Sequence, residues 1–223
     1  MSQQIQTTVV GSYPVPEWLR AYPNSMNLRD AVMVVMKSQE LAGIDVIADG
    51  ELSRFDVSHP ETNGMIDYFV RPLEGVGTKL SRAELDAFRE KSGFGFRAKP
   101  AGVVRTAIDE GELDLQADHH SVSRLTRSPL KFTVTSPYML ARTLLDTHYG
   151  DLNELVLAIA DVLRRQVERI DATVLQVDEA NLPGSPQHAE IAAAGINKVL
   201  SGAQGETGVH LCFGNYGGQT IQQ

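Results

Sequence analysis

Short apolar or β-branched runs alternate along this chain with longer stretches whose apolar residues recur every three or four positions. "TTVV" (7–10) stops at Gly11, "IDVIAD" (44–49) at Gly50, and "LKFTVT" (130–135) at Ser136-Pro137. "ATVLQVD" (172–178) and "GVHLC" (208–212) complete this series, each short enough to be a strand. Between them, "LRDAVMVVMKSQELAG" (28–43) has helical length, with Gly43 placed just past its end. The clearest helix is "DLNELVLAIADVLRRQVERI" (151–170). Leu152, Leu155, Val156, Ile159, Leu163, Val167 and Ile170 form its stripe, and Asp151 is placed to cap it. A third helix is predicted over 187–202.

Strands alternating with helices predict parallel βαβ units, and near-continuous apolar strands are expected where both faces of a sheet are covered. Residues 58–128 fit this alternation less well. They read as an elaborated excursion after the second strand, with one further strand near 99–108. No internal repeat, Gly-rich dinucleotide fingerprint or phosphate-binding loop is evident.

Composition narrows the class. The 223 residues are 42% apolar and 22% charged, enough for a sizeable core in one large domain or two small ones. A net charge of −8 argues against a general nucleic-acid or anionic-membrane binder. One cysteine excludes an intrachain disulfide framework and suits a reducing compartment. With no signal-peptide pattern and no long apolar stretch, a cytoplasmic location is the expectation.

Polar and ionisable residues gather where the apolar runs stop: Gly11-Ser12, Asp49-Gly50-Glu51, Asp178-Glu179, and His210-Cys212. In α/β barrels, and in doubly wound sheets, sites form at such carboxyl ends. His210 and Cys212 are two residues apart, so a regular strand points both to one face, where nitrogen and sulfur suit zinc. The bland alternative is a buried thiol beside a hydrogen-bonded core histidine. Asp178 and Glu179 must face opposite ways. Asp178 shares the alternation of Val174 and Gln176 and could hold a substrate ammonium, or simply cap a loop. Glu51 is either a ligand-binding carboxylate or the partner of Arg54. Ser12 either bonds a substrate or shapes the turn before Pro14. The His119-His120 pair reads as a solvated surface.

Taken in order, "TTVVGSYP" (7–14), "GIDVIADGELSRFD" (43–56), "FRAKP" (96–100), "LQVDEANL" (175–182) and "VHLCFGN" (209–215) resemble the catalytic barrel of the cobalamin-independent methionine synthase family. The resemblance covers nearly the whole chain and implies a TIM-type (β/α)8 barrel. About six of its eight strands would lie within residues 1–223, in a single domain without the family's N-terminal barrel. It implies methyl transfer to the thiol of homocysteine, giving methionine, with zinc binding that thiol. By the same match, His210 and Cys212 are zinc ligands, and Val10, Gly11 and Ser12 line the amino-acid pocket. Glu51 and Asp178 hold the substrate ammonium, and Arg97 lies on the methyl-donor side.

Two departures from the family pattern shape the alternatives. Its remaining zinc ligands, a glutamate and a second cysteine, would fall beyond Gln223, so the chain is expected to be truncated. An open barrel exposes edge strands and favours oligomers. In "TSPYMLARTLL" (135–145), Thr143 stands where folate-using members have tryptophan, leaving both folate and corrinoid donors open. Other readings are zinc-dependent transfer to another thiol such as coenzyme M, a non-catalytic fragment, or a barrel of the uroporphyrinogen decarboxylase group. The His-Leu-Cys run argues against the last.

Overall fold

Thr8 forms a parallel bridge with Val46, and Ile47 forms another with Leu130. These two bridges tie the start of the chain to a regular parallel sheet in the computed structural model, which describes residues 5–91 and 98–212. Its strands, in chain order, are β1 (Glu74–Gly77), β2 (Gly102–Asp109), β3 (Lys131–Thr135), β4 (Leu144–Asp146), β5 (Val174–Glu179) and β6 (Glu206–Leu211). The helices are α1 (Glu17–Ala21), α2 (Ser25–Leu41), α3 (Asp67–Val70), α4 (Arg82–Lys91), α5 (Leu115–Ser123), α6 (Pro137–Arg142), α7 (Leu152–Val167) and α8 (Ala189–Leu200).

β3, β5 and β6 are parallel neighbours in that order. With the two bridges, five segments lie side by side with their carboxyl ends on one edge. Two expectations change here. The runs 7–10 and 44–49 make single bridges rather than full strands. The strand expected near 99–108 does form, as β2, but in a second, mixed sheet. There it pairs antiparallel with β1 and parallel with β4. The excursion supplies β1 as a closer partner, so β2 is not a sixth stave beside the other five. A closed barrel is not seen among the described residues.

The helices form where their patterns place them. The Asp151 carboxylate accepts the Glu154 amide at 3.0 Å and caps α7, and Gly43 follows α2 with φ 75°. Leu155, Val156, Ile159, Leu163 and Val167 of α7 are buried with Leu175 and Val177 of β5 in the main core. Each such side chain contributes about 1.5–3 kcal/mol on burial. A second core joins α2 to Ile47, Leu52, Val122 and Leu130.

The parallel strands are not apolar on both faces. Phe132 and Val134 enter the helix-packed core, whereas Lys131, Thr133 and Thr135 face the other way and are also buried. β6 is covered on one edge only among the described residues, and its Val209 and Leu211 are nearly half exposed. No helix among those residues is long and apolar enough to cross a membrane.

Candidate functional site

The turn after Ile47 sets the first candidate carboxylate, Glu51. Gly50 (φ 73°) and Glu51 (φ 59°) both adopt left-handed backbone, which is uncommon for a glutamate. Asp49 stabilises that turn. Its Oδ1 accepts the Glu51 amide at 2.8 Å, and its Oδ2 accepts the Ser53 amide and hydroxyl at 3.2 and 2.5 Å. Tyr13 N donates to Gly50 O at 2.9 Å, docking the first segment against it.

Glu51 therefore points back across the end of that segment. Its Oε2 accepts from Ser12 Oγ at 2.6 Å and lies 3.3 Å from Arg54 Nη1. Its Oε1 accepts from Thr133 Oγ1 at 3.0 Å. Arg54 Nη2 donates to the Thr133 carbonyl and, at 2.5 Å, to its hydroxyl. The same guanidinium lies over the ring of Phe69, 4.9 Å from its centroid. Of the two readings of Glu51, the pairing with Arg54 is the one seen, and the same carboxylate takes the Ser12 hydroxyl. Gly11 is buried against this carboxylate, where a Cβ would sit 2.5 Å from Oε1.

Asp178 approaches from β5. Its residue is 6% exposed, and burial pushes its carboxyl up to about 6. The amide of Gln176 and the charges of Arg54 and His210 pull the other way, while Glu51 adds to the rise. The charges of Glu51, Arg54 and His210 thus all act on the Asp178 carboxyl. A cleft of about 450 Å³ borders Glu51 and Arg54, but Asp178 is not in its lining. The link between the two carboxylates runs through neighbouring strands: Thr133 donates to Glu51, and its register partner Gln176 donates to Asp178.

Glu179 faces the opposite way, as alternation requires. It is fully buried, and its Oε1 accepts the amides of Asn181 and Leu182 at 2.6 and 3.0 Å. That is a loop-capping role.

His210 is the register partner of Asp178 across β5 and β6. Cys212 N donates to Glu179 O at 2.8 Å, so the ladder continues one step past Leu211. This keeps His210 and Cys212 at the period-two spacing that shares a face. Both side chains are partly exposed. The donor chemistry suits zinc. Among the described residues, however, no group of three or more His, Cys, Asp or Glu is placed to hold a metal.

Arg97 lies outside the described residues. Val10 is 60% exposed through its side chain, but its carbonyl accepts from Lys131 Nζ at 3.0 Å and Gln176 Nε2 at 2.8 Å. Thr143 is buried, with its hydroxyl donating to Leu140 O at 2.7 Å, so it offers no surface for stacking a planar ligand. His119 corrects the solvated-surface reading of the histidine pair. It is 7% exposed, edge-on to Phe132, because α5 turns it inward while His120 stays outside.

Sequence reasoning did not single out Lys131, Thr133 or Gln176. The signal was the alternation in "LKFTVT" and "VLQVDE", which places polar side chains at every second position of a buried strand.

Comparison with known proteins supplies a family. The family model described as "Cobalamin-independent synthase, Catalytic domain" matches residues 5–216. A methionine synthase of Thermococcus kodakarensis is 28% identical over 95% of this chain and 63% of its own length. One from Sulfurisphaera tokodaii is 27% identical over 95% of this chain and 62% of its own. The chain therefore spans less than two thirds of these relatives. A B12-independent methionine synthase from Shewanella sp. W3-18-1, solved in complex with selenomethionine, superposes with a TM-score of 0.72 at 22% identity. It covers 93% of this chain and 61% of that one, a likeness of fold.

Proposed function

This chain belongs to the family of cobalamin-independent synthase catalytic domains, and on that premise we propose that it serves a methyltransferase making methionine from homocysteine. The fold would be a single (β/α)8 barrel, to which the five parallel segments contribute. One observation carries the substrate side. Two strand-end carboxylates are held by register partners on adjacent strands, Glu51 by Thr133 and Asp178 by Gln176, with the Ser12 hydroxyl on Glu51. Such a pair suits a substrate ammonium by charge-assisted hydrogen bonds.

The division of labour follows from the contacts. Glu51 already accepts from Ser12 and Thr133 and forms an ion pair with Arg54, so its orientation is set before a ligand arrives. Gly11 leaves room for the carboxylate, and Val10, Gly11 and Ser12 line the amino-acid end. Asp178, in register with His210, would place the ammonium near the metal-binding strand. His210 and Cys212 would hold zinc. A bound zinc supplies an ionised thiol at neutral pH, where a free thiol of pKa near 8.5 is mostly protonated. Arg97 would serve the donor side.

The acceptor follows from charge. Coenzyme M carries a sulfonate and no ammonium, so Glu51 and Asp178 would repel it. The selenomethionine in the Shewanella structure is an amino acid of the expected product class. The buried Thr143 favours no flat pterin partner at that position, which leaves a corrinoid alongside folate as donor.

The test is calorimetric binding of L-methionine to the wild type and to Glu51→Gln and Asp178→Asn. Saturable binding lost by roughly tenfold or more in either variant supports the reading. Absence of binding, or equal binding in all three, rejects it.

A further inference from the structure

Lys131 is the least expected residue inside this sheet: a lysine 2% exposed at the start of β3. Its ammonium donates to the Val9 carbonyl, to the Val10 carbonyl at 3.0 Å, and to Gln176 Oε1 at 2.8 Å. Ammonium can only donate. The Gln176 oxygen must therefore face Lys131, and the Gln176 NH2 must face away. That NH2 donates to Asp178 Oδ1 at 2.7 Å and to Val10 O at 2.8 Å.

An amide in this place has two orientations. Turned the other way, it would offer its oxygen to the Asp178 carboxylate and its NH2 to an ammonium, repelling both. Lys131 reinforces the observed orientation from the oxygen side, alongside the acceptors Asp178 and Val10 O, although it is one strand away from Asp178 and touches it only through Gln176. The same two side chains satisfy the Val9 and Val10 carbonyls of the first segment, which has one parallel bridge of its own.

We propose that Lys131 is a positioning residue that, by fixing the Gln176 amide, orients Asp178 toward the ammonium of an amino-acid ligand. This rests on the substrate reading above and extends it to the residue pair behind Asp178. Gln176 acts as the connector, and specificity for ligands bearing an ammonium depends on both.

The experiment compares two ligands by calorimetry: L-methionine and its des-amino analogue, 4-(methylthio)butanoate. The proteins are the wild type, Lys131→Met, Lys131→Arg and Gln176→Met, each checked for retained circular dichroism and melting. Lys131→Met is expected to weaken methionine binding roughly tenfold or more, as for hydrogen bonds to charged groups. Binding of the des-amino analogue should stay within about twofold. Lys131→Arg, still a pure donor, should recover part of the loss. Should Lys131→Met fold poorly, Gln176→Met carries the same test, because it breaks the connection while leaving the lysine. Equal losses for both ligands in a folded variant would overturn the proposal, since they show a general packing effect. A wild type that does not prefer methionine over its des-amino analogue would instead reject the underlying substrate reading.

Discussion

Asp178 and His210 face each other in register across β5 and β6. The imidazole charge favours the ionised carboxylate, against a burial effect that is the largest influence on it. A carboxylate and an imidazole are thereby held one strand spacing apart, about 4.8 Å in a β-sheet, where the proposed function would put an ammonium and a metal. In the proposed reaction that separation matches the two ends of one small amino thiol.

Methionine binding should follow the ionisation of Asp178. Its carboxyl is raised to about 6 by burial, so the ammonium-binding form is present above that value and lost as pH falls through it. Affinity should drop between about pH 7 and pH 5. A bound ammonium favours the carboxylate, so the complex should titrate lower than the free protein. Asp178→Asn should bind weakly and lose this part of the pH dependence. The check is calorimetry at several pH values. An identical profile in the asparagine variant would contradict the assignment.

Glu51 and Arg54 should behave as a buried pair. Their side chains are 8% and 2% exposed. Glu51→Gln leaves the guanidinium without its carboxylate and should cost about 3–5 kcal/mol in urea unfolding. Adding Arg54→Met should return most of that stability without restoring methionine binding. A Glu51→Gln protein as stable as wild type would show that the pair is solvated.

Gly11→Ala should displace Glu51, because the new Cβ would sit 2.5 Å from Oε1. The expected result is at least a tenfold loss of methionine affinity with a small loss of stability. Wild-type affinity in this variant would show that the carboxylate moves freely.

Much of the frame was legible in the sequence. Asp151 as a cap and the α7 stripe follow from local rules, and each appears where expected. What stayed hidden depended on distant partners. The strand near 99–108 was read correctly as a strand, but its place depended on β1, a weak four-residue run with a bulge. Lys131 and Gln176 sat in runs taken as apolar on both faces. Their worth appears only when Val9 and Val10, more than a hundred residues earlier, come within hydrogen-bond reach. His119 likewise needed Phe132 to show why it is inside.

The proposed zinc site rests on two donors, His210 in β6 and Cys212 just past its end, and Cys212 is the sharper probe. Cys212→Ser replaces a thiolate ligand with a neutral hydroxyl and should lower zinc affinity at least tenfold, read by competition with a chromogenic chelator. His210→Ala should do the same. Unchanged zinc affinity in both variants would remove these residues from the metal site.

The central claim is a site that joins an amino acid to an ionised thiol, and proton release on homocysteine binding tests it most directly. The zinc-supplemented protein is titrated with L-homocysteine, and separately with L-methionine, in two buffers of different ionisation enthalpy at pH 7. The account predicts release of about one proton per bound homocysteine and none attributable to a thiol for methionine. The homocysteine signal should disappear in Cys212→Ser. Homocysteine binding with no more proton release than methionine, or release unchanged in Cys212→Ser, would contradict it.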